Sequence, residues 1–235
     1  MNNLLNELRN RLRAVSDEKV RESGLRFFRE PVTMYGIKSA DVTGIAKEYR
    51  KKTGGMEKKE ILEMCEDLWK SGYMEESFVA SEWAYSLRKE YKTSDFRIFE
   101  GWVNHYVSNW ASCDTLCNHT IGSFIEMYPE YLSELKKWAR SPNRWTKRAS
   151  AVSLIIPARK GLFIEDIFEI ADILHSDPDD MVQKGYGWML KAASQAYCER
   201  VFDYVMLRKG TMPRTSLRYA IEKMPADMKK QAMAR

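Results

Sequence analysis

The sequence contains no apolar run near the roughly 20 residues that a helix needs to cross a bilayer, which excludes a helical membrane protein. Its amino terminus, Met1 to Arg9, mixes leucine with asparagine and charge and lacks the apolar stretch of a signal peptide. Cysteine is scarce. Four in a chain of 235 residues build no disulfide framework, and a reducing cytoplasm is the predicted compartment. Glycine and proline number only 12 and 7, too few for the turns of a many-stranded β fold. No P-loop, His-Glu-x-x-His or Gly-x-Ser-x-Gly pattern occurs, so three common enzyme chemistries have no footing. Cys113, Cys117 and His119 lie close together, but no second Cys/His pair accompanies them, and no metal or cofactor is expected.

What is present is an ordinary globular balance. Hydrophobic residues make up 44% and charged residues 30%, enough apolar material for one large domain spanning 1–235. Apolar residues recur at helical spacing: Leu4, Leu5, Leu8, Leu12 and Val15; Ile61, Leu62, Cys65, Leu68 and Trp69; Ile164, Ile167, Phe168, Ala171 and Leu174. Turn chemistry separates the segments at Gly54-Gly55, Ser71-Gly72, Ser141-Pro142, Asp177-Pro178, Gly210 and Met212-Pro213. No window alternates with period two, so the fold class is all-α.

The helices are predicted to come in pairs. Shorter helices over about 57–70, 95–107, 129–139, 164–174 and 197–208 each precede a second helix, starting near Met74, Ala111, Asn143, Asp179 and Pro213. That period of about 32 to 37 residues indicates an α-solenoid, a superhelix of two-helix repeats with a concave groove.

The net charge of +5 is unevenly spread. Residues 135–164 carry eight bases and no acid, residues 161–183 seven acids and no Lys or Arg. The carboxyl end from Val205 adds eight more bases against Glu222 and Asp227. Such segregation predicts a positive face, for which either nucleic acid or bulk solvent is the partner. Arg144, Lys147, Arg148, Arg214 and Arg218 would line one wall of the groove.

Three stretches could carry chemistry. Trp110 and Asp114 stand four apart at a helix start, one turn apart on one face. They suit either a functional pair or a core aromatic beside a helix-start residue, with Ser112 or Asp114 as that residue. Arg144-Trp-Thr-Lys-Arg148 has no acid nearby in sequence and could grip phosphate or simply face water. In Gln183-Lys184-Gly185-Tyr186-Gly187-Trp188, two glycines inside a helix cost about 1 kcal/mol each relative to alanine. They predict close backbone approach, or room beside Trp188 for something other than a side chain.

Taken together, these stretches resemble the AlkD-type DNA alkylation repair glycosylases, which are built from HEAT-like repeats. The resemblance rests on Tyr35-Gly-Ile-Lys-Ser39, Ser108-Asn-Trp-Ala-Ser-Cys-Asp114, Arg144-Trp-Thr-Lys-Arg-Ala149, Gln183-Lys-Gly-Tyr-Gly-Trp-Met-Leu190 and Pro213-Arg-Thr-Ser-Leu-Arg-Tyr-Ala-Ile221. It implies a monomer that binds duplex DNA and excises cationic N3- or N7-alkylpurines without extruding the base. Trp110 and Trp188 would flank the lesion's sugar, and Asp114 would be the catalytic carboxylate. Arg148, with Arg144, Lys147, Lys184, Arg214 and Arg218, would hold the DNA backbone, and Phe27 stands where the family often has a tyrosine near DNA. Where the family often reads Trp-Trp-Asp-x-x-Asp, this chain has Asn109 and Ala111 in place of an aromatic and an acid. The resemblance therefore also admits a DNA-binding protein without catalysis.

Overall fold

The computed structural model describes residues 2–234, and they are all-α. Among them the one β-type pairing is a lone bridge between Thr33 and Tyr73. The chain forms two compact units, Met1–Leu116 and Cys117–Arg235.

The first unit contains α1 (Asn2–Ala14), α2 (Glu18–Leu25), α3 (Ser39–Lys52), α4 (Lys58–Lys70), α5 (Met74–Ser86), α6 (Phe96–His105) and α7 (Trp110–Leu116). Its spine is α5, which buries Val79, Ala80, Ser81, Trp83 and Ala84 and, more unusually, Glu75 and Glu76. A helix buried on most sides shows little amphipathic pattern, and its polar groups need partners within the protein. They have them. The Glu75 carboxylate accepts from three successive backbone N–H groups, those of Tyr35 (3.0 Å), Gly36 (2.8 Å) and Ile37 (3.2 Å). Glu76 accepts from the Tyr35 hydroxyl at 2.6 Å and from Arg9 of α1 at 3.0 Å. Burial and that bond to Glu76 push the Tyr35 phenol pKa well above its usual value. The Trp83 indole donates to the Ala46 carbonyl of α3 at 2.8 Å, and Ser77 bonds Ser112 of α7 at 2.7 Å.

The Tyr35-Gly-Ile stretch is therefore a clasp on the start of α5. Tyr35 stacks on Tyr73 with ring centroids 4.1 Å apart, and the Thr33 carbonyl accepts from Met74 N–H at 2.9 Å. Gly36 has φ +86°, and a Cβ there would lie 2.5 Å from the Asp17 carbonyl and 2.6 Å from the Arg21 Cβ. Only glycine fits between the clasp and the first turn of α2.

The second unit opens on a π-helical turn, Cys117–Ile121, followed by α8 (Gly122–Met127), α9 (Leu132–Trp138), α10 (Arg144–Val152), α11 (Ile155–Arg159), α12 (Ile164–Leu174), α13 (Asp180–Ala193), α14 (Cys198–Arg208), α15 (Arg214–Ala220) and α16 (Ala226–Met233). The wide turn accompanies a close approach: a Cβ on Gly122 would sit 2.8 Å from the Ser153 carbonyl. Here the spine is α13, which buries Val182, Gly185, Tyr186, Gly187, Met189 and Leu190.

The predicted second helices begin within one residue of expectation, at Met74, Trp110, Arg144, Asp180 and Arg214, about 35 residues apart. The expected starts at Asn143 and Asp179 are N-caps, whose side chains accept from Trp145 N–H and from Met181 and Val182 N–H. Ile61, Leu62, Cys65, Leu68 and Trp69 are all buried, as are Ile167, Ala171 and Leu174.

Gly36 and Gly55 share the same positive φ of +86°, but nothing lies within 4 Å of a Cβ at Gly55. Gly55→Ala should lose about 1 kcal/mol of stability, the left-handed strain alone. Gly36→Ala should lose clearly more than that because strain and overlap add. Urea unfolding of the two variants measures the difference, and equal losses would refute the clasp.

Candidate functional site

In the first unit the site is built around the start of α7. Asn109, not Ser112 or Asp114, is the capping residue. Its Oδ1 accepts from Ser112 N–H at 2.9 Å and its backbone carbonyl from Cys113 N–H at 3.1 Å. The Asn109 amide also donates to Ser112 Oγ at 3.2 Å, and that hydroxyl meets Ser77 of α5. Asn109 is 3% exposed, so the residue that departs from the family's pattern is a buried structural cap.

The cap sets Trp110 as the first residue of α7, with Asp114 one turn on. Trp110 is half-buried. Its ring stacks on Phe28, centroids 5.3 Å apart at 19°, and its Nε1–H donates to the Phe27 carbonyl at 3.3 Å. Phe27 itself is 73% exposed. Asp114 is 9% exposed, so its carboxylate is mostly enclosed. Cys113 and Cys117 are fully buried, and no cluster of metal-ligating side chains occurs among the described residues.

Phe28 was not among the residues singled out from the sequence. It lies far from Trp110 along the chain, and its only sequence signal is that it neighbours Phe27.

In the second unit the basic residues are not set apart from acids, as the sequence suggested. Four acids that lie 30 or more residues downstream fold back on them. Arg144 Nε pairs with Asp179 at 2.8 Å, Lys147 Nζ pairs with Asp177, and Lys184 pairs with Asp180 at 2.7 Å within α13. Lys136 contacts both Asp166 (2.8 Å) and Glu169 (2.7 Å), and those hydrogen bonds hold its ammonium above the usual lysine pKa. Asp179 thus caps α13 and binds Arg144 with one carboxylate. The expectation that 144–148 has no acid to pair with is corrected.

Arg148 is also placed differently from a solvated gripping residue. It is 5% exposed, and its Nη1 donates to the Met181 carbonyl. Gly185 makes room for it: a Cβ there would stand 3.3 Å from Arg148 Cγ and 3.6 Å from Nη1. That room is taken by a side chain, unlike the expectation, whereas Gly187 has the close backbone approach foreseen: a Cβ there would meet the Ser216 carbonyl at 2.9 Å and Tyr219 Cβ at 2.8 Å, where α15 crosses. Trp188, between them and the next turn, stays half-buried. Arg214 and Arg218, one turn apart on α15, are exposed and form no ion pair among the described residues.

Comparisons agree with this architecture. The model of the DNA alkylation repair enzyme family matches residues 8–224, so the chain belongs to that family. A solved structure, a predicted DNA alkylation repair enzyme from Enterococcus faecalis, superposes with a TM-score of 0.79. It is 14% identical, and the match covers 90% of this chain and 97% of that one, which shows a shared fold. No curated protein matches. No helix among the described residues is long and apolar enough to cross a membrane.

Replacing Asn109 by Ala should remove the α7 cap and strand the Ser112 N–H, lowering stability by about 1 to 2 kcal/mol. A chemical denaturation midpoint equal to the parent's would show that α7 does not start on Asn109.

Proposed function

We propose that this protein is a monofunctional DNA glycosylase that hydrolyses the glycosidic bond of cationic N3- and N7-alkylpurines in duplex DNA. Family membership supports action on alkylated DNA. The observation that supports the chemistry most directly is the start of α7, which carries an indole held by Phe27 and Phe28 and a carboxylate one turn on. An alkylpurine bearing a positive charge is already a good leaving group and needs no strong general acid. As the C1′–N bond breaks, positive charge builds on the deoxyribose. An anionic Asp114 and the electron-rich face of Trp110 stabilise that state more than the ground state. Water then adds to C1′, oriented by Asp114, which takes up the water's proton. A neutral lesion gains much less, because its departing base must be protonated.

On the same reading Trp188 contacts the DNA with its own indole face, and the base stays in the duplex. Phosphates are contacted by Arg144, Lys147, Lys184, Arg214 and Arg218, with the enclosed Arg148 holding α13 through the Met181 carbonyl, and Phe27 lies against the DNA. The Arg144–Asp179 pair is only partly buried, so phosphate can compete with Asp179 for the guanidinium. Lys147 and Asp177, more enclosed, are harder to part. We further propose that the chain works as a single-domain monomer of HEAT-like repeats in the cytoplasm, without a metal or cofactor.

One observation favours a second reading, DNA binding without catalysis. Asn109 is committed to capping and Ala111 is buried, so the family's further aromatic and acid have no counterpart there.

Release of 7-methylguanine from methylated duplex DNA decides between them. Asp114→Asn should slow release by about 100-fold or more while DNA affinity holds or rises. Release at the parent rate would show that this carboxylate is not catalytic. No release by the parent itself, with salt-sensitive DNA binding intact, would select the second reading. For the DNA contacts, replacing Arg214 and Arg218 together by Ala should reduce the slope of log K against log salt by about 2. An unchanged slope would remove both from the interface.

A further inference from the structure

An indole at the first position of a helix turns about two side-chain bonds, and the Trp110 side chain is partly open to solvent. Its usefulness to a cationic sugar depends on which way its face points, because a cation is attracted to the face of the ring and not to its edge. Two contacts remove that freedom. Phe28 stacks on the indole, centroids 5.3 Å apart at 19°, and covers one face. The Phe27 carbonyl accepts from Nε1–H at 3.3 Å and fixes the rotation of the ring within its plane. Both come from the chain just after α2, 82 and 83 residues away in sequence.

We infer that Phe28 is the positioning residue of this site, holding the Trp110 indole so that the face turned away from Phe28 meets the substrate. The inference rests on the glycosylase reading, and it extends that reading to a residue that touches neither sugar nor base. Neighbouring phenylalanines divide the work. The Phe28 ring orients Trp110, and the Phe27 backbone pins it while the Phe27 side chain stands 73% exposed. The hydrogen bond to a main-chain atom survives any substitution at 27, whereas the stack exists only while residue 28 is aromatic.

The test compares Phe28→Tyr, which keeps a ring, with Phe28→Leu, which keeps apolar bulk without one. Single-turnover release of 7-methylguanine should fall about 3- to 10-fold in Phe28→Leu, with DNA affinity unchanged, and stay at the parent rate in Phe28→Tyr. In a Trp110→Ala background Phe28→Leu should cost nothing further. An equal loss in both backgrounds would overturn the inference, since Phe28 would then act independently of the indole.

A second readout does not depend on catalysis. In protein with 15N-labelled tryptophan, the Trp110 Nε1–H resonance, identified by Trp110→Phe, should exchange with water several-fold faster in Phe28→Leu and at the parent rate in Phe28→Tyr. An unchanged exchange rate in Phe28→Leu overturns the positioning role. If the parent releases no base, the glycosylase reading fails, and this exchange comparison still decides whether Phe28 holds the indole. Should Phe28→Leu not fold, Phe28→Met provides the same comparison.

Discussion

The first unit depends on one buried anion. Glu75 is 1% exposed, a position where a carboxylate is tolerable only if its charge is met by well-placed donors. Three consecutive N–H groups of residues 35–37 meet it. The consequences run outward along the chain. The clasp fixes Gly36, Gly36 fits against Asp17 and Arg21 without room for a side chain, and α2 is thereby set in place. The end of α2 leads into Phe27 and Phe28, which hold Trp110. The helix that packs against this clasp is thus followed by the two residues that contact the indole.

The second unit achieves order by a different route. Its two glycines in α13 remove side chains where neighbours must come close, at Gly185 for the Arg148 side chain and at Gly187 for the backbone of α15. Charge is handled pairwise across about one repeat of sequence, with Arg144 to Asp179, Lys147 to Asp177, Arg200 to Glu165 and Arg208 to Asp172. For Asp172, burial would raise the pKa, but hydrogen bonds from Arg208 and Tyr204 outweigh it and hold the carboxyl below its usual value. A group depressed in this way stabilises the fold above the ordinary carboxylate range and loses that contribution as pH falls through its folded pKa.

The sequence made the helices legible wherever one face is buried and the other wet. The pattern at Ile61 to Trp69 and the caps at Asn143 and Asp179 locate α4, α10 and α13 to within a residue. It did not reveal α2, which buries no residue and so leaves no apolar stripe. Nor did it reveal the identity of the α7 cap, because Asn109, Ser112 and Asp114 all have the chemistry of helix starts. Trp110 and Asp114 were legible as a pair from their spacing. The stack of Phe28 on Trp110 and the ion pairs of 144 and 147 with 179 and 177 were not, because they join residues that only folding brings together. Charge runs read along a chain overstate surface polarity when the opposite run lies one repeat away.

On the proposed glycosylase reading, the protein stabilises a deoxyribose that has become cationic before water attacks. The secondary isotope effect of tritium at C1′ of 7-methyldeoxyguanosine in duplex DNA measures that charge directly. A large normal effect, with the C1′–H bond loosened as the carbon flattens, is the predicted result. A value near unity would mean that water and base share C1′ in a tight displacement, and the roles proposed for Asp114 and Trp110 would fail.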